Sequence, residues 1–260
     1  MEIRLDGRNA LITGGSMGLG RAMAQTFATS GANVAMVARR ADALAEAKAE
    51  IEQHAKTKIV AIAGDVSTAA GCQAVAEEAA SALGPVDILV NNAGSSARSP
   101  FEAVTDEDWQ QDLDLKLFAA IRLCRLFLPH MKSQRWGRII NVLNTGAKAP
   151  PAEGAPTAVS RAAGLALTKV LAGEGAAHNV LVNGLMVGKI QSDQWVRRHE
   201  AAGTNESMEA FYEKMGADLP LGRVGTAQEF ANVACLLASD AGGYVSGTAI
   251  NVDGGLCPVV

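Results

Sequence analysis

Tyrosines, long apolar runs and an excess of positive charge are scarce or missing in this chain. Aromatic residues make up 4% of its 260 residues, and Tyr212 and Tyr244 are the only tyrosines. No run of about 18 apolar residues occurs, and the first residues carry acids and bases in place of an apolar core. We therefore expect neither a membrane span nor a signal peptide, and we predict a cytoplasmic protein without a membrane partner.

Cysteine spacing and charge argue against two further kinds of site. Cys72, Cys124, Cys235 and Cys257 lie far apart and lack metal-ligand spacing, so we expect free thiols in a reducing compartment and no bound metal. The formal net charge is -4, and the lysines and arginines are spread along the chain. Because this distribution gives no basic surface, we expect no nucleic-acid partner.

Strict alternation of apolar strands with helices predicts the fold. Hydrophobic residues make up 48% and charged residues 19% of the chain, which suits one large domain over residues 1–260. The alternation indicates parallel βαβ units, and hence an α/β fold with a single doubly wound, Rossmann-type parallel sheet and helices on both faces. The predicted strands are residues 10–13, 33–38, 59–64, 88–92, 138–142, 180–185 and 249–252. The predicted helices are residues 19–30, 41–54, 68–83, 105–131, 156–174 and 227–237.

The alternation lapses over residues 188–221, which we interpret as a lid or substrate loop. A connection of this length is more often functional than an ordinary loop. It carries Trp195, His199, Phe211 and Tyr212 at irregular spacing. His199 and Tyr212 could deliver a proton when such a lid closes, although packing or solvent contact is the better interpretation of both.

A glycine-rich turn joins the first strand to the first helix. Its sequence, TGGSMGLG, has glycines that permit a tight turn and a close approach of the backbone to a pyrophosphate. Free N–H groups at the following helix start attract negative charge. The turn therefore predicts a nucleotide site formed by Thr13, Gly14, Ser16, Met17, Gly18, Leu19 and Gly20, with a simple helix-start turn as the alternative.

Several motifs together resemble the short-chain dehydrogenase/reductase family. They are TGGSMGLG, Asp65-Val66, Asn91-Asn92-Ala93-Gly94 and the closing PLGRVG…YVSGTAINVDGG, and the likeness runs from about residue 5 to residue 255. The resemblance implies a nicotinamide dinucleotide whose pyrophosphate lies on the first motif. It also implies a homodimer or homotetramer built through the long helices. The further cofactor residues that it implies are Asp65 and Val66 at the adenine, Asn92, Ala93 and Gly94 in the cofactor pocket, and Gly188 and Ser192 near the nicotinamide.

The end of the second strand favours NADP(H) over NAD(H). An acidic residue there would bind the ribose 2′-hydroxyl of NAD, whereas this chain has Arg39 and Arg40. Arginine forms bidentate hydrogen bonds with phosphate. We therefore predict that Arg39, with Arg40 as the second choice, binds the 2′-phosphate. Two solvated arginines at a helix start are the alternative.

The chemical centre departs from the family pattern at all four usual catalytic positions. The family uses an asparagine on the central helix, a serine after the fifth strand, and a tyrosine and a lysine one turn apart on the next helix. Ungapped alignment predicts that other residues occupy these positions here. They are Lys116, Asn144, Thr157 and Arg161.

Each replacement retains a binding group, but the general acid is lost. A threonine hydroxyl does not titrate near neutrality, and an arginine is too basic to relay protons. Asn144 can still donate to a substrate oxygen, and Arg161 can still hold the nicotinamide ribose. Lys116 is the candidate substitute acid if it is desolvated beside Arg161, and a lysine reaching out to solvent is the equal alternative. Lys189 could also face the substrate or a cofactor phosphate, with a surface loop lysine as at least an equal alternative. Lys148 and Glu153 could reach the pocket as well, with no stronger case.

These observations leave three hypotheses for function. The first is an atypical NADP(H)-dependent oxidoreductase that acts on a small carbonyl or alcohol substrate. The second is a non-catalytic NADP(H)-binding sensor or partner subunit, and the third is a lyase or isomerase on the same fold. Fold alone does not separate them, because function lies in the site.

Overall fold

A parallel sheet forms the middle of the molecule. The computed structural model describes residues 3–203 and 205–260. The strands described there are β1 Asn9–Thr13, β2 Asn33–Ala38, β3 Ile59–Ala63, β4 Ile88–Asn91, β5 Arg98–Ser99, β6 Gly137–Asn144, β7 Ala155–Pro156, β8 Val180–Val187 and β9 Ala249–Val252. Seven of them pair in parallel in the order β3-β2-β1-β4-β6-β8-β9, and a separate antiparallel pair joins β5 to β7.

Helices cover both faces of this sheet, so the predicted doubly wound α/β fold is confirmed. One face packs on a hydrophobic core that includes Phe27 and Phe230, and the other on a core that includes Leu123 and Phe127. Strand β6 is buried along almost its whole length, as expected for a parallel strand covered on both faces. The described helices are α1 Gly18–Thr29, α2 Ala41–Glu52, α3 Ala69–Leu83, α4 Asp106–Leu113, α5 Ala119–Ser133, α6 Thr157–Ala176, α7 Asp193–Ala202, α8 Met208–Ala217 and α9 Ala227–Ala238.

The helix predicted over residues 105–131 is interrupted by a wide turn. Helix α4 ends at Leu113, a π-helical turn occupies Asp114–Phe118, and α5 continues to Ser133. A π turn inserts one residue into the helical repeat and rotates the next turns of helix, and such turns are frequent at functional sites. Here the turn contains Lys116, which is buried.

The helix predicted to open at Pro156 begins one residue later. Pro156 stands at the N-cap of α6 and pairs with Arg98 across the short β5–β7 ladder. The prediction that Pro156 lies in the first turn was therefore wrong by one position, because strand pairing holds this residue just outside the helix. The ladder ties the segment after β4 to the start of α6.

Residues 188–221 contain two helices that the sequence did not indicate. Helices α7 and α8 carry the four aromatic residues of this segment, and Phe211 lies 6.5 Å from Trp195 and 5.2 Å from His199 between ring centroids. Trp195 and His199 are one turn apart on α7, so they share a face. The sequence of α7 is mostly polar, and the apolar residues of α7 and α8 lie at irregular spacing along the segment, so periodicity did not indicate either helix.

The four thiols are free, as expected from the sequence. Cys72, Cys124 and Cys235 are buried in α3, α5 and α9, and Cys257 is half-buried. Burial raises the pKa of the Cys124 thiol to about 12. In residues 3–203 and 205–260, none of the helices combines the length and apolar character needed to cross a bilayer.

A cluster of charged and aromatic side chains braces the amino-terminal end of the sheet. Arg138 is only 2% exposed and lies 4.3 Å from the ring centre of Trp136, while Arg8 lies 3.6 Å from the same centre. Asp240 Oδ1 accepts hydrogen bonds from Trp136 Nε1 at 3.0 Å and from Arg138 Nη2 at 3.3 Å. Asp240 is thus the carboxylate that pairs with a buried guanidinium.

We expect Asp240→Ala to lower the free energy of unfolding by about 1–2 kcal/mol, because the substitution removes an acceptor shared by a buried cation and an indole. Urea denaturation followed by fluorescence measures the change. Asp218→Ala, at an exposed aspartate, is the control and should change the value by less than about 0.5 kcal/mol. Equal effects of the two substitutions would contradict a role for Asp240 in the cluster.

Candidate functional site

A cleft of about 990 Å³ opens at the carboxyl ends of the parallel strands. Its walls come from the β1–α1 turn, the ends of β2, β4, β6 and β8, and the start of α6. This is where an open α/β sheet binds its ligands, and the volume lies at the upper end of the usual range for ligand pockets.

The predicted site residues converge on this cleft, although their roles stay predictions. Of the residues that the structure describes, every predicted cofactor or catalytic residue lines the cleft except Thr13 and Lys116. Thr13 is buried, and its Oγ1 accepts hydrogen bonds from the backbone N–H groups of Asn92 at 2.9 Å and Ala93 at 3.0 Å. Thr13 therefore links the end of β1 to the end of β4 beneath the cleft.

The β1–α1 turn has the form of a phosphate-binding cradle. Gly14 and Gly18 have positive φ angles of 65° and 51°, which favour glycine. A side chain at Gly20 would collide with the carbonyl of Gly14, and Asn92 Nδ2 fixes that carbonyl at 3.2 Å. The N-cap position belongs to Met17, whose side chain has no oxygen to cap the helix. The first N–H groups of α1 can therefore bind an anion, and the turn fits a pyrophosphate.

Two arginines stand at the other end of the cradle. Arg39 and Arg40 are exposed and line the cleft. Neighbouring Asp65 accepts a hydrogen bond from the backbone N–H of Ser67 at 2.9 Å, and this bond, with a smaller contribution from the charge of Arg39, lowers the pKa of Asp65. Within the described parts of the chain, neither arginine forms an ion pair with a carboxylate.

Lys116 lies inside the protein, directly behind the cleft. It is 6% exposed, and its Nζ donates to Asp112 Oδ1 and, at 2.8 Å, to Thr157 Oγ1. The alternative of a lysine reaching out to solvent was therefore wrong: the π turn directs this side chain inward. Burial lowers the pKa of Lys116 to about 8; the hydrogen bond with Asp112 opposes the shift, and the charge of Arg161 adds to it.

Thr157 connects this buried pair to the cleft. Its hydroxyl accepts from Lys116 and from the backbone N–H of Ala97 at 3.0 Å, and it donates to the carbonyl of Ala97 at 2.7 Å. Ser160, one turn along α6, donates to Asp112 Oδ2 at 2.5 Å. Asp112, Lys116, Thr157 and Ser160 thus form one hydrogen-bonded network, which we call the buried relay.

Arg161 runs across the cleft floor beside Gly94. Its Nη1 donates to the carbonyl of Val142 at 2.7 Å, and a Cβ at Gly94 would collide with its Nη2. Burial lowers the pKa of Arg161, and the charge of Asp112 opposes this shift, but a guanidinium stays protonated at neutral pH. A fixed positive charge therefore faces the cleft between the phosphate cradle and Thr157.

Asn144 presents a buried polar atom to the cleft. Its Oδ1 has no hydrogen-bond partner among residues 3–203 and 205–260, and the residue lines the cleft. A buried unpaired acceptor is unusual in a native protein and is frequent where a ligand supplies the partner. Asn144 is therefore placed to meet a bound polar group.

The three weaker lysine and glutamate candidates differ in position. Lys189 lines the cleft, and its Nζ donates to the carbonyl of Met215 at 3.3 Å. The Nζ of Lys148 instead donates to the carbonyl of Ala249 at 2.8 Å, which ties it to the edge strand β9. Lys148 and Glu153 lie outside the set of described residues that line the cleft.

Sequence reasoning missed four residues at this site. Asp112 had a signal, because it precedes Lys116 by one helical turn and an acid at that spacing can pair with a lysine. Ser160 precedes Arg161 and gave no signal beyond its place on α6. Arg98 and Arg197 also line the cleft, and only the β5–β7 ladder and helix α7 bring them there.

Comparison with known proteins gives consistent results over the whole chain. The family model described as short chain dehydrogenase matches residues 8–202. The 3-oxoacyl-[acyl-carrier-protein] reductase FabG of Aquifex aeolicus is 32% identical over 98% of this chain and 100% of its own length.

Two solved structures are similar in fold and sequence. The L-sorbose reductase of Gluconobacter frateurii, solved with NADPH and L-sorbose, has a TM-score of 0.95 and 33% identity, and the match covers 100% of both chains. A short chain oxidoreductase of Pseudomonas aeruginosa PAO1, solved with NADPH bound and described as containing an atypical catalytic center, has a TM-score of 0.91 and 35% identity over 99% of both chains.

We expect Gly94→Ala to weaken NADPH binding by about tenfold, because the added methyl group displaces the Arg161 guanidinium from the cleft floor. Stability should change little, since a flexible side chain can move aside. Titration of NADPH fluorescence and thermal unfolding measure the two effects. Gly173→Ala is the control, because a Cβ there meets no atom within 4 Å. Unchanged affinity in Gly94→Ala would remove Arg161 from the cofactor site.

Proposed function

Because the chain belongs to the short-chain dehydrogenase/reductase family and is an oxidoreductase of that type, we propose that it transfers hydride between NADP(H) and a small carbonyl or alcohol substrate. We propose further that its active site is non-standard. In this proposal the four usual catalytic positions are occupied by Lys116, Asn144, Thr157 and Arg161.

One observation carries the proposal: the ammonium group of Lys116 is buried and hydrogen-bonded to the hydroxyl of Thr157, a residue that lines the cleft. Lys116 Nζ lies 2.8 Å from Thr157 Oγ1, and Thr157 lines the cleft. The lowered pKa of Lys116, about 8, lets it lose a proton near neutral pH. The pair thereby supplies the acid that the missing tyrosine would otherwise provide.

Proton transfer in the direction of reduction is consistent with this geometry. A bound nicotinamide supplies the hydride that adds to the substrate carbonyl carbon. The substrate oxygen then takes the hydroxyl proton of Thr157, and Thr157 Oγ1 takes one proton from Lys116 Nζ. The resulting neutral amine regains a proton from water through the same hydroxyl after the product leaves. The hydrogen bond from Lys116 to Asp112 stabilises the charged form of Lys116.

The remaining two residues hold the reactants. Asn144 lines the cleft with an unpaired amide oxygen, so its Nδ2 can donate to the substrate oxygen while its Oδ1 accepts from a neighbouring hydroxyl. Arg161, whose Nη1 donates to the carbonyl of Val142, holds the nicotinamide ribose in this proposal. Positioning of this kind can contribute several orders of magnitude in rate.

The cofactor preference rests on the arginines at the end of β2. Arg39 and Arg40 face the cleft without a carboxylate partner among the described residues, which suits the 2′-phosphate of NADP(H). The similar structures of L-sorbose reductase and of the Pseudomonas oxidoreductase are both described with NADPH. Residues 188–221, which contribute α7 to the cleft wall, are the proposed lid.

A second candidate, a non-catalytic NADP(H)-binding sensor or partner subunit, is favoured by one observation. The Thr157 hydroxyl already has four hydrogen-bond contacts: two with the backbone of Ala97, one with Lys116 and a longer one, of 3.4 Å, with Asp112 Oδ1. A hydroxyl held in this way must turn its hydrogen from Ala97 to the substrate before it can act. If it does not turn, the site binds cofactor without transferring hydride.

Transfer of label separates the two candidates. With NADPH labelled at its transferable hydrogen and a panel of aldehydes and ketones, we expect labelled alcohol from the wild type and at least about 100-fold less from Lys116→Ala. Lys116→Gln, which keeps a donor toward Asp112, should lose activity equally while remaining folded. Lys56→Ala, at an exposed lysine, is the control. Tight NADPH binding without transfer would favour the sensor, and full activity in both Lys116 variants would exclude Lys116 as the acid.

The pH dependence of reduction tests the assignment to Lys116. The rate should fall as pH rises through about 8, because the deprotonated amine has no proton to give. The hydrogen bond with Asp112 raises the pKa of Lys116, so Asp112→Asn should move this fall to lower pH. Steady-state rates between pH 6 and pH 10 measure the profile, and thermal unfolding checks that the variant is folded. If the rate of the Asp112→Asn variant fell at the same pH as that of the wild type, the assignment of this fall to Lys116 would be wrong.

A further inference from the structure

Two arginines from distant parts of the chain converge on one sulfur atom. Met17 Sδ lies 3.2 Å from Arg40 Nη2 and 3.5 Å from Arg197 Nη2. Arg40 precedes α2, whereas Arg197 lies on α7 in the proposed lid. The two guanidinium groups are consequently within about 7 Å of each other.

This convergence places like charges together at the cleft. Arg39, Arg40 and Arg197 all line it, and none of the three forms an ion pair with a carboxylate of residues 3–203 or 205–260. Asp193 stands one turn before Arg197 on the same helix, but its Oδ2 is directed to the phosphate cradle, 3.3 Å from the position of a Cβ at Gly18. Like charges this close repel each other, and an anion bound between them would replace that repulsion with attraction.

We propose that Arg197 is a ligand of the 2′-phosphate of NADPH, together with Arg39 and Arg40, and that this contact draws α7 over the cleft. The inference rests on the NADP(H) preference proposed above. A 2′-phosphate is a dianion with several acceptor oxygens, so it can accept paired hydrogen bonds from more than one guanidinium. The 2′-phosphate projects from the adenosine end of the nucleotide, and in this proposal that end lies next to Met17.

The contact has a consequence for the proposed lid. Helix α7 begins against the phosphate cradle, since Ser192 Cβ lies 3.7 Å from the position of a Cβ at Gly18. The same helix presents Trp195 to the cleft. A phosphate bound by Arg197 therefore holds α7 at both its first and its second turn, and a nucleotide without the phosphate holds it only at the first.

Binding of fragments tests the proposal independently of turnover. The probes are adenosine 2′,5′-bisphosphate and 5′-AMP, which differ in the 2′-phosphate, and calorimetry gives both affinities. We expect Arg197→Ala to weaken the binding of the bisphosphate by about tenfold, because one ion pair with its 2′-phosphate is lost. The binding of 5′-AMP, which lacks that phosphate, should weaken by less than twofold. Arg125→Ala, at an exposed arginine on α5, is the control for net charge and should alter neither affinity.

Hydrogen exchange over Asp193–Ala202 provides the second readout. The bisphosphate should slow exchange in the wild type and leave it unchanged in Arg197→Ala. Wild-type affinity for the bisphosphate in Arg197→Ala would overturn the inference. If Arg39→Ala then loses the preference for the bisphosphate, the NADP(H) proposal survives alone. If the wild type does not distinguish the two probes, the cofactor preference and the inference both fail.

Discussion

The ammonium group of Lys116 can be buried only because Asp112 and Thr157 take its hydrogen bonds. A charge moved out of water without such partners is strongly destabilising, so the pair must be assembled as the chain folds. Assembly requires the π turn that directs Lys116 inward and the start of α6 that presents Thr157. Ser160 completes the network by donating to the second oxygen of Asp112. The elements that surround the cleft floor are thus joined through one buried charge pair.

Much of the fold could be predicted because it depends on local patterns. Alternating strands and helices predict a parallel sheet, and the glycine turn predicts where an anion can lie, since both depend on backbone geometry. The positions of Asn144, Thr157 and Arg161 could also be predicted, because the resemblance to the family allowed an ungapped alignment from the preceding strand. All three line the cleft.

The remaining features depend on tertiary contacts that leave little trace in the sequence. A π turn does not change the composition of a helix, so the inward direction of Lys116 could not be read from its spacing. Helices α7 and α8 are stabilised by ring contacts between Trp195, His199 and Phe211, which lie up to 16 residues apart in the chain. Arg98 reaches the cleft through a two-residue ladder. In each case packing decides what local propensity leaves open.

Thr157 links the buried ammonium group of Lys116 to the cleft. Among the described residues, Lys116 Nζ bonds Asp112 and Thr157, and of these two Thr157 is the one that lines the cleft, so the proposed proton path runs through its hydroxyl. The same hydroxyl bonds both backbone groups of Ala97, next to the β5–β7 ladder that positions Arg98. Turning the hydroxyl toward a substrate gives up its bond to the Ala97 carbonyl. A new hydrogen bond to the bound substrate must replace the lost one. Proton delivery in the proposed reaction therefore depends on how closely a substrate fills the cleft beside Thr157.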